Sequence, residues 1–255
     1  MVHKRIALIW FVILIVTSVF AQERTYLVAV GVADYSSFTG AATNQRSTTN
    51  DARTIVDVYS KNGPVGYSLL LNSDATRSRI EKAITQVLGR AGENDIAVFF
   101  FSGHGYPNGI CASDGPVDFD VIRSAMAKSR CKNKMMFVDA CFAGGLREND
   151  KRERQKVEAL NRQASVMLFL SSRNDESSLE STGLTNGVFT TFLHKGLKGA
   201  ADRNRDRIIT ARELYLYVHE EVEKYSSGQQ HPVMWGKFSH NMPVMKWTVK
   251  KTNTP

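Results

Sequence analysis

Long apolar runs alternating with amphipathic helical stretches predict an α/β fold: a three-layer α/β/α sandwich around a mostly parallel central sheet, the arrangement that covers both faces of each strand. Three observations carry this. The segments TYLVAVGVA (25–33), DIAVFFFS (95–102), KMMFVDA (134–140) and SVMLFLSS (165–172) are almost unbroken apolar runs rather than alternating ones. The stretches between them place apolar residues at helical spacing. The chain has 255 residues, 42% of them apolar and 23% charged, with six prolines, no fixed-period repeat and no linker-like segment; one domain fits.

The first element is not part of that domain. MVHKR is a basic start, IALIWFVILIVTSVF is fifteen uncharged residues, and VFA-QE sets small or apolar side chains at the positions flanking an Ala21/Gln22 cleavage site. This is the three-part pattern of an export signal over 1–21. The alternative is an uncleaved membrane anchor, for which the run falls short of the ~20 residues a bilayer core needs. The mature chain is then 22–255, exported to a periplasm or secreted, and membrane-bound only if the segment stays uncleaved.

The elements then follow in order. Strand 25–33 leads to a helix over 48–63 that ends at Gly63, and GYSLLLN (66–72) is the second strand. SDATRSRIEKAITQVLGRAG (73–92) opens on a cap-like Ser/Asp and puts Ile80, Ile84, Val87 and Leu88 on one helical face. Strand 95–102, helix 118–129, strand 134–140 and strand 165–172 come next. Helices near 187–198 and 211–225 and a last strand at 244–250 complete the chain.

Composition narrows the function. Net charge is +8, or +6 without Lys4 and Arg5. The basic residues are dispersed, with no aromatic-interleaved basic patch, which argues against a nucleic-acid partner. No Gly-rich phosphate loop follows the first strand, which argues against a nucleotide binder. Of Cys111, Cys131 and Cys141, the pair to bridge, if two do, is Cys111–Cys131, leaving Cys141 a free thiol.

Two strand ends carry the chemistry. In an open parallel sheet, ligands bind beyond the carboxyl ends of the strands. AVFFFSGHGYP (97–107) delivers His104 there, between two glycines that let a substrate approach closely. FVDACFAGG (137–145) repeats the grammar with Asp139, Cys141 and two glycines. If these strands are sheet neighbours, about 4.8 Å apart, an imidazole and a thiol share one crevice. A protonated imidazole lowers the pH at which the thiol ionises, and the thiolate is the nucleophile.

FFFSGHG and FVDACFAGG together resemble the histidine and cysteine motifs of caspase-like cysteine peptidases, nearer the metacaspase and bacterial branch than the animal enzymes. TNDA (49–52), LFLSSRNDESSLES after the fifth strand and NGVFTTFLHKGL before the last helices extend the likeness over nearly the whole mature chain. The resemblance implies an endopeptidase acting on protein or peptide substrates. His104 would be base and acid, Cys141 the nucleophile, and the N–H groups of Gly105 and Cys141 the oxyanion hole. Animal caspases have Gln-Ala-Cys followed by a basic residue where this chain has Asp139-Ala140-Cys141-Phe142, and a longer stretch between histidine and cysteine. Both departures count against aspartate specificity. The metacaspase likeness instead implies an acidic pocket for Arg or Lys, built from Asp51, Ser102 and Asp139, whose paired carboxylates a guanidinium would bridge. The bland alternatives are a helix-surface acid for Asp51 and a carboxylate bonded to nearby backbone for Asp139.

Two further segments stand out. In DRNRDRIITARE (202–213), Asp202, Asn204, Asp206, Ile208 (through its carbonyl), Thr210 and Glu213 fall at positions 1, 3, 5, 7, 9 and 12 of a calcium loop, but Arg207 replaces the turn glycine. Calcium is the ion it would take; the dyad chemistry requires no cofactor. The alternative is a relic held by its own Asx turns. The highly charged stretch 147–164 occupies the place where, in the resembled family, a mobile segment is self-cleaved; the alternative is an exposed helix. The functional readings are thus an exported Arg/Lys-directed cysteine endopeptidase or a non-catalytic module of the same fold.

Overall fold

The structure, a computed structural model, describes residues 23–36, 47–106, 108–141, 165–172 and 184–247, excepting the side chain of Cys141. The expected signal segment 1–21 and the charged stretch 147–164 lie outside the described residues.

The expected sandwich is present. Strands β1 (Thr25–Gly31), β2 (Val65–Leu71), β3 (Ile96–Tyr106), β6 (Asn133–Cys141), β7 (Met167–Leu170) and β9 (Val233–Trp235) run in the order β2-β1-β3-β6-β7-β9. All neighbours are parallel except β7 and β9. Two short strands, β4 (Gly109–Ala112) and β5 (Gly115–Asp118), form a hairpin on the end of β3. A separate ribbon pairs β8 (Ile208–Thr210) with β10 (Pro243–Lys246).

Helices cover both faces. On one side α2 (Arg77–Val87) and α3 (Phe119–Ala127) bury Ile80, Ile84, Ile122 and Met126 against Val28, Val30, Phe99 and Phe101. On the other, α1 (Thr48–Asn62), α4 (Val188–Lys195) and α5 (Ala211–Tyr225) pack on Leu27, Ala29, Val98, Phe100, Phe137 and Phe169. Phe99, Phe100 and Phe101 are all fully buried, alternating between the two cores, which is why β3 reads as an unbroken apolar run. Local chemistry sets the helix starts: the Thr76 hydroxyl accepts the Arg79 N–H, and Thr210 with Glu213 closes a capping box on α5.

One expectation changes and one open question is answered. The third strand does not stop at 102 but continues through Tyr106, because β6 pairs it as far as His104 and the β4–β5 hairpin then supplies partners for Gly105 and Tyr106. His104 is therefore in the strand, not beyond it. Cys111 and Cys131 are both free thiols. Cys131 is buried and donates to the Asp95 and Asn133 carbonyls at 2.9 and 3.4 Å, whereas Cys111 sits half-buried on β4.

Phe169 fixes the second core, with ring contacts to Phe137 on β6, Phe189 on α4 and Tyr215 on α5. Phe169→Ala is expected to lower unfolding free energy by about 3–5 kcal/mol in denaturant titration.

Candidate active site

The site is built on two rows of residues across the carboxyl ends of the central strands. In the first row Gly31 of β1, Ser102 of β3 and Asp139 of β6 stand in register. Gly31 is bare because α1 starts against it: a Cβ there would lie 2.5 Å from the Thr48 carbonyl oxygen. That close approach puts Asp51, in the first turn of α1, against the row. Ser102 Oγ donates to Asp51 Oδ2 at 2.7 Å.

The opposite wall is the N-terminal turn of α4. The Gly187 N–H donates to Asp51 Oδ1 at 3.1 Å. The Thr190 N–H and Oγ1 both donate to Asp139 Oδ2, at 3.1 and 2.7 Å. A Cβ on Gly187 would stand 2.6 Å from Asp139 Oδ2, so the helix reaches the carboxylates only because this residue has no side chain. Asp51 and Asp139 are 1% and 5% exposed. Asp51 is thus not a helix-surface acid; the structure brings it to Ser102 and Asp139 as expected. Donors at a helix N-terminus favour anions.

Those donors do not fully offset the environment. Burial, and then the neighbouring charge of Asp139, push the Asp51 carboxyl well above the usual carboxylate range, against the opposing pull of Ser102, Gly187 and Asn186. No Lys or Arg among the described residues pairs with Asp51. A cation arriving from outside would relieve that cost by favouring the ionised pair.

The second row lies two residues further, about 6.6 Å along the strands. There His104 and Cys141 are direct partners, the last pair of a nine-residue parallel register that begins at Ile96 and Asn133. The sequence expectation that these strands are neighbours holds. Gly105 lies beyond, opposite Ile110 of β4. The strand end next to Cys141 is braced from β7: Ser171 Oγ bonds both the N–H and the carbonyl oxygen of Ala140, at 3.1 Å each, and Gln230 Nε2 donates to the Ser171 carbonyl at 2.8 Å.

Sequence reasoning did not single out Thr190, Gly187, Ser171, Gln230 or Tyr35, which contacts His104. Within NGVFTTFLHKGL the one local signal for Gly187 and Thr190 is a Gly followed three residues later by Thr at a predicted helix start.

The calcium-like loop is away from these rows. Arg207 adopts the left-handed conformation that the missing glycine would have supplied, φ 67°, as does Arg205 at φ 60°. Asn204 and Asp206 bond one another and the loop N–H groups, and the Glu213 carboxylate accepts from Thr210 N and Oγ1 at 3.0 and 2.7 Å. Asp202 Oδ2 accepts the Arg207 N–H, while its Oδ1 is buried without a hydrogen-bond partner. Among the described residues no three His, Cys, Asp or Glu side chains cluster as a metal site. Among them, too, no helix is long and apolar enough to cross a membrane.

Comparison with known proteins agrees with the geometry. A family model described as the caspase domain matches residues 24–242. Among solved structures, protein GSU0716 from Geobacter sulfurreducens superposes with a TM-score of 0.64 at 16% identity, over 88% of this chain and 100% of that one. Caspase-1 from Spodoptera frugiperda gives 0.61 at 17% identity, over 89% and 92%. At these identities the likeness is one of fold. No curated protein matches the sequence.

The raised Asp51 carboxyl yields a stability prediction. A group whose pKa is higher in the folded state stabilises the fold while protonated and loses that contribution as pH climbs from its unfolded value, about 3.9, through the folded one. Asp51→Asn is therefore expected to raise Tm at neutral pH, with the gain vanishing on acidification below about pH 4. Thermal scans across pH check this; a lower Tm at pH 7 would contradict it.

Proposed function

Because the chain belongs to the caspase-domain family, a family of cysteine peptidases, we propose that it is an endopeptidase that cleaves after Arg or Lys with a His104–Cys141 dyad. The observation that carries the reading is the juxtaposition of the two rows: a histidine and a cysteine in register, two residues along the strands from a buried carboxylate pair.

The chemistry follows from the positions. A substrate Arg or Lys enters between Asp51 and Asp139 and brings a cation to Asp51, which no Lys or Arg of the described residues pairs. The guanidinium suits best, since it can give parallel N–H bonds to both carboxylates. With the side chain anchored there, the scissile carbonyl falls at the next row. The Cys141 thiolate attacks that carbon, the carbonyl π electrons move to oxygen, and the N–H groups of Gly105 and Cys141 receive the negative charge. His104, holding the proton taken from the thiol, gives it to the leaving amine as the C–N bond breaks. Water then attacks the thioester, His104 taking its proton, and the acid leaves with Cys141 restored. No cofactor enters these steps.

Export through residues 1–21 and self-cleavage within 147–164 belong to the same proposal, the latter because the stretch offers several basic residues to the pocket. Calcium at 202–213 is a separate one, for which Asp202 Oδ1 is the available oxygen; Tm compared in calcium and in chelator tests it.

Purified protein 22–255, assayed on paired peptides ending in Arg, Lys or Asp, tests the function. Arg and Lys peptides are expected to be cut and the Asp peptide not, since a third carboxylate would enter a buried acidic pocket. Cys141→Ala and His104→Ala should each lower kcat by orders of magnitude while the chain stays folded. Preference for Asp would overturn the pocket assignment. Full turnover by folded Cys141→Ala would overturn the dyad, and a folded wild-type protein that cuts no peptide would leave the non-catalytic module.

A further inference from the structure

Where β1 ends, β3 needs another partner. The parallel ladder between them runs to Gly31 and Ser102, and the Val32 N–H reaches the Ser102 carbonyl at 3.0 Å. The next bond in such a ladder would carry the His104 N–H to a carbonyl on the neighbouring strand. Here a side chain takes it. Tyr35, four residues past the end of β1, accepts the His104 N–H on its Oη at 2.7 Å. The same oxygen donates to the Cys111 carbonyl on β4 at 3.3 Å.

The contact is more than one bond. The Tyr35 ring lies 4.7 Å from the His104 ring, centroid to centroid, tilted by 36°. Tyr35 is 1% exposed. A Cβ on Gly103 would stand 2.4 Å from Tyr35 Oη, so the hydroxyl fills the space that the glycine leaves. One side chain therefore touches two successive residues of β3, one of β4 and the imidazole itself.

We propose that Tyr35 is the positioning residue for His104: its hydroxyl fixes the backbone from which the imidazole projects, and its ring limits how that imidazole turns. This rests on the reading of His104 as the base. Its contacts described above are to β3, β4 and the imidazole, which directs its effect to the reaction step. A displacement of a reacting group by about 1 Å can cost on the order of a hundredfold in rate.

The test is Tyr35→Phe, which keeps the ring and removes only the hydroxyl. On an Arg peptide, kcat is expected to fall roughly ten- to a hundredfold with KM unchanged. Alkylation of Cys141 by iodoacetamide, followed by mass spectrometry, is expected to slow in parallel, because the thiolate depends on the imidazole beside it. Tyr59→Phe is the control: Tyr59 is also buried and its hydroxyl also bonds the backbone, donating to the Val244 carbonyl at 3.0 Å, but in the opposite core and away from His104. It should lower Tm and keep wild-type kcat. If Tyr35→Phe does not fold, Gly103→Ala asks the same question by pushing on the hydroxyl from β3, and should lower kcat with KM unchanged. Wild-type kcat in folded Tyr35→Phe, a rise in KM alone, or an equal kcat loss in Tyr59→Phe would each overturn the proposal. Full activity in His104→Ala would instead overturn the dyad reading, and this proposal with it.

Discussion

The register between β3 and β6 is the constraint on which the site depends. Nine consecutive pairs lock Ser102 beside Asp139 and His104 beside Cys141. Because side chains alternate with a period of two, a slip of one residue would send each partner to the opposite face. What prevents the slip is the core: Val98 and Phe100 face one set of helices while Phe99 and Phe101 face the other, and all four are fully buried. The apolar run that makes β3 a central strand is thus also what aligns the polar residues at its end. In β3, core-building and site-lining residues belong to one run of eleven.

That alignment concentrates negative charge. Asp51 comes from α1 and Asp139 from β6, and both are buried. A buried carboxylate is costly unless donors or a partner charge offset its lost hydration. The structure turns donors toward both: one serine hydroxyl, one threonine hydroxyl and two N–H groups at the start of α4. They hold the carboxylates in place, but at Asp51 they do not outweigh burial and the neighbouring charge. The elevated Asp51 carboxyl is the residue of that imbalance.

The elements legible in the sequence are those with long apolar runs or long helical periodicity. The helix expected at 211–225 is found at Ala211–Tyr225, and the strand-end positions of His104 and Cys141 followed from β3 and β6. The strands β4, β5, β8 and β9 were not legible: each has three or four residues, too few to show a period, and their pairing is decided by tertiary neighbours. The pocket was half legible. Asp51, Ser102 and Asp139 came from motif resemblance and charge logic, but Gly187 and Thr190 lie 136 and 51 residues from the carboxylates they bind. Nothing local announces such contacts. Whether Cys111 and Cys131 pair was likewise not legible, since spacing along the chain does not say where each thiol sits: one is on β4, the other in the loop before β6.

The glycines around the site show what a motif does not state. The histidine between two glycines suggested room for a substrate. At Gly103 the room is already taken, by the hydroxyl of Tyr35. At Gly31 it is taken by the start of α1, and at Gly187 by the carboxylate of Asp139. None of these three has the positive φ that would demand glycine on conformational grounds. Each is bare because another group must come within a distance that a methyl forbids. The site is therefore assembled by close approach: α1 to β1, α4 to β6, and the segment after β1 to β3. Each approach delivers polar groups to the two rows: Asp51 in the first case, the Gly187 and Thr190 donors in the second and the Tyr35 hydroxyl in the third. A substitution at any of the three glycines would act first on the polar group that its absent side chain admits, and only through it on the strand that carries the glycine.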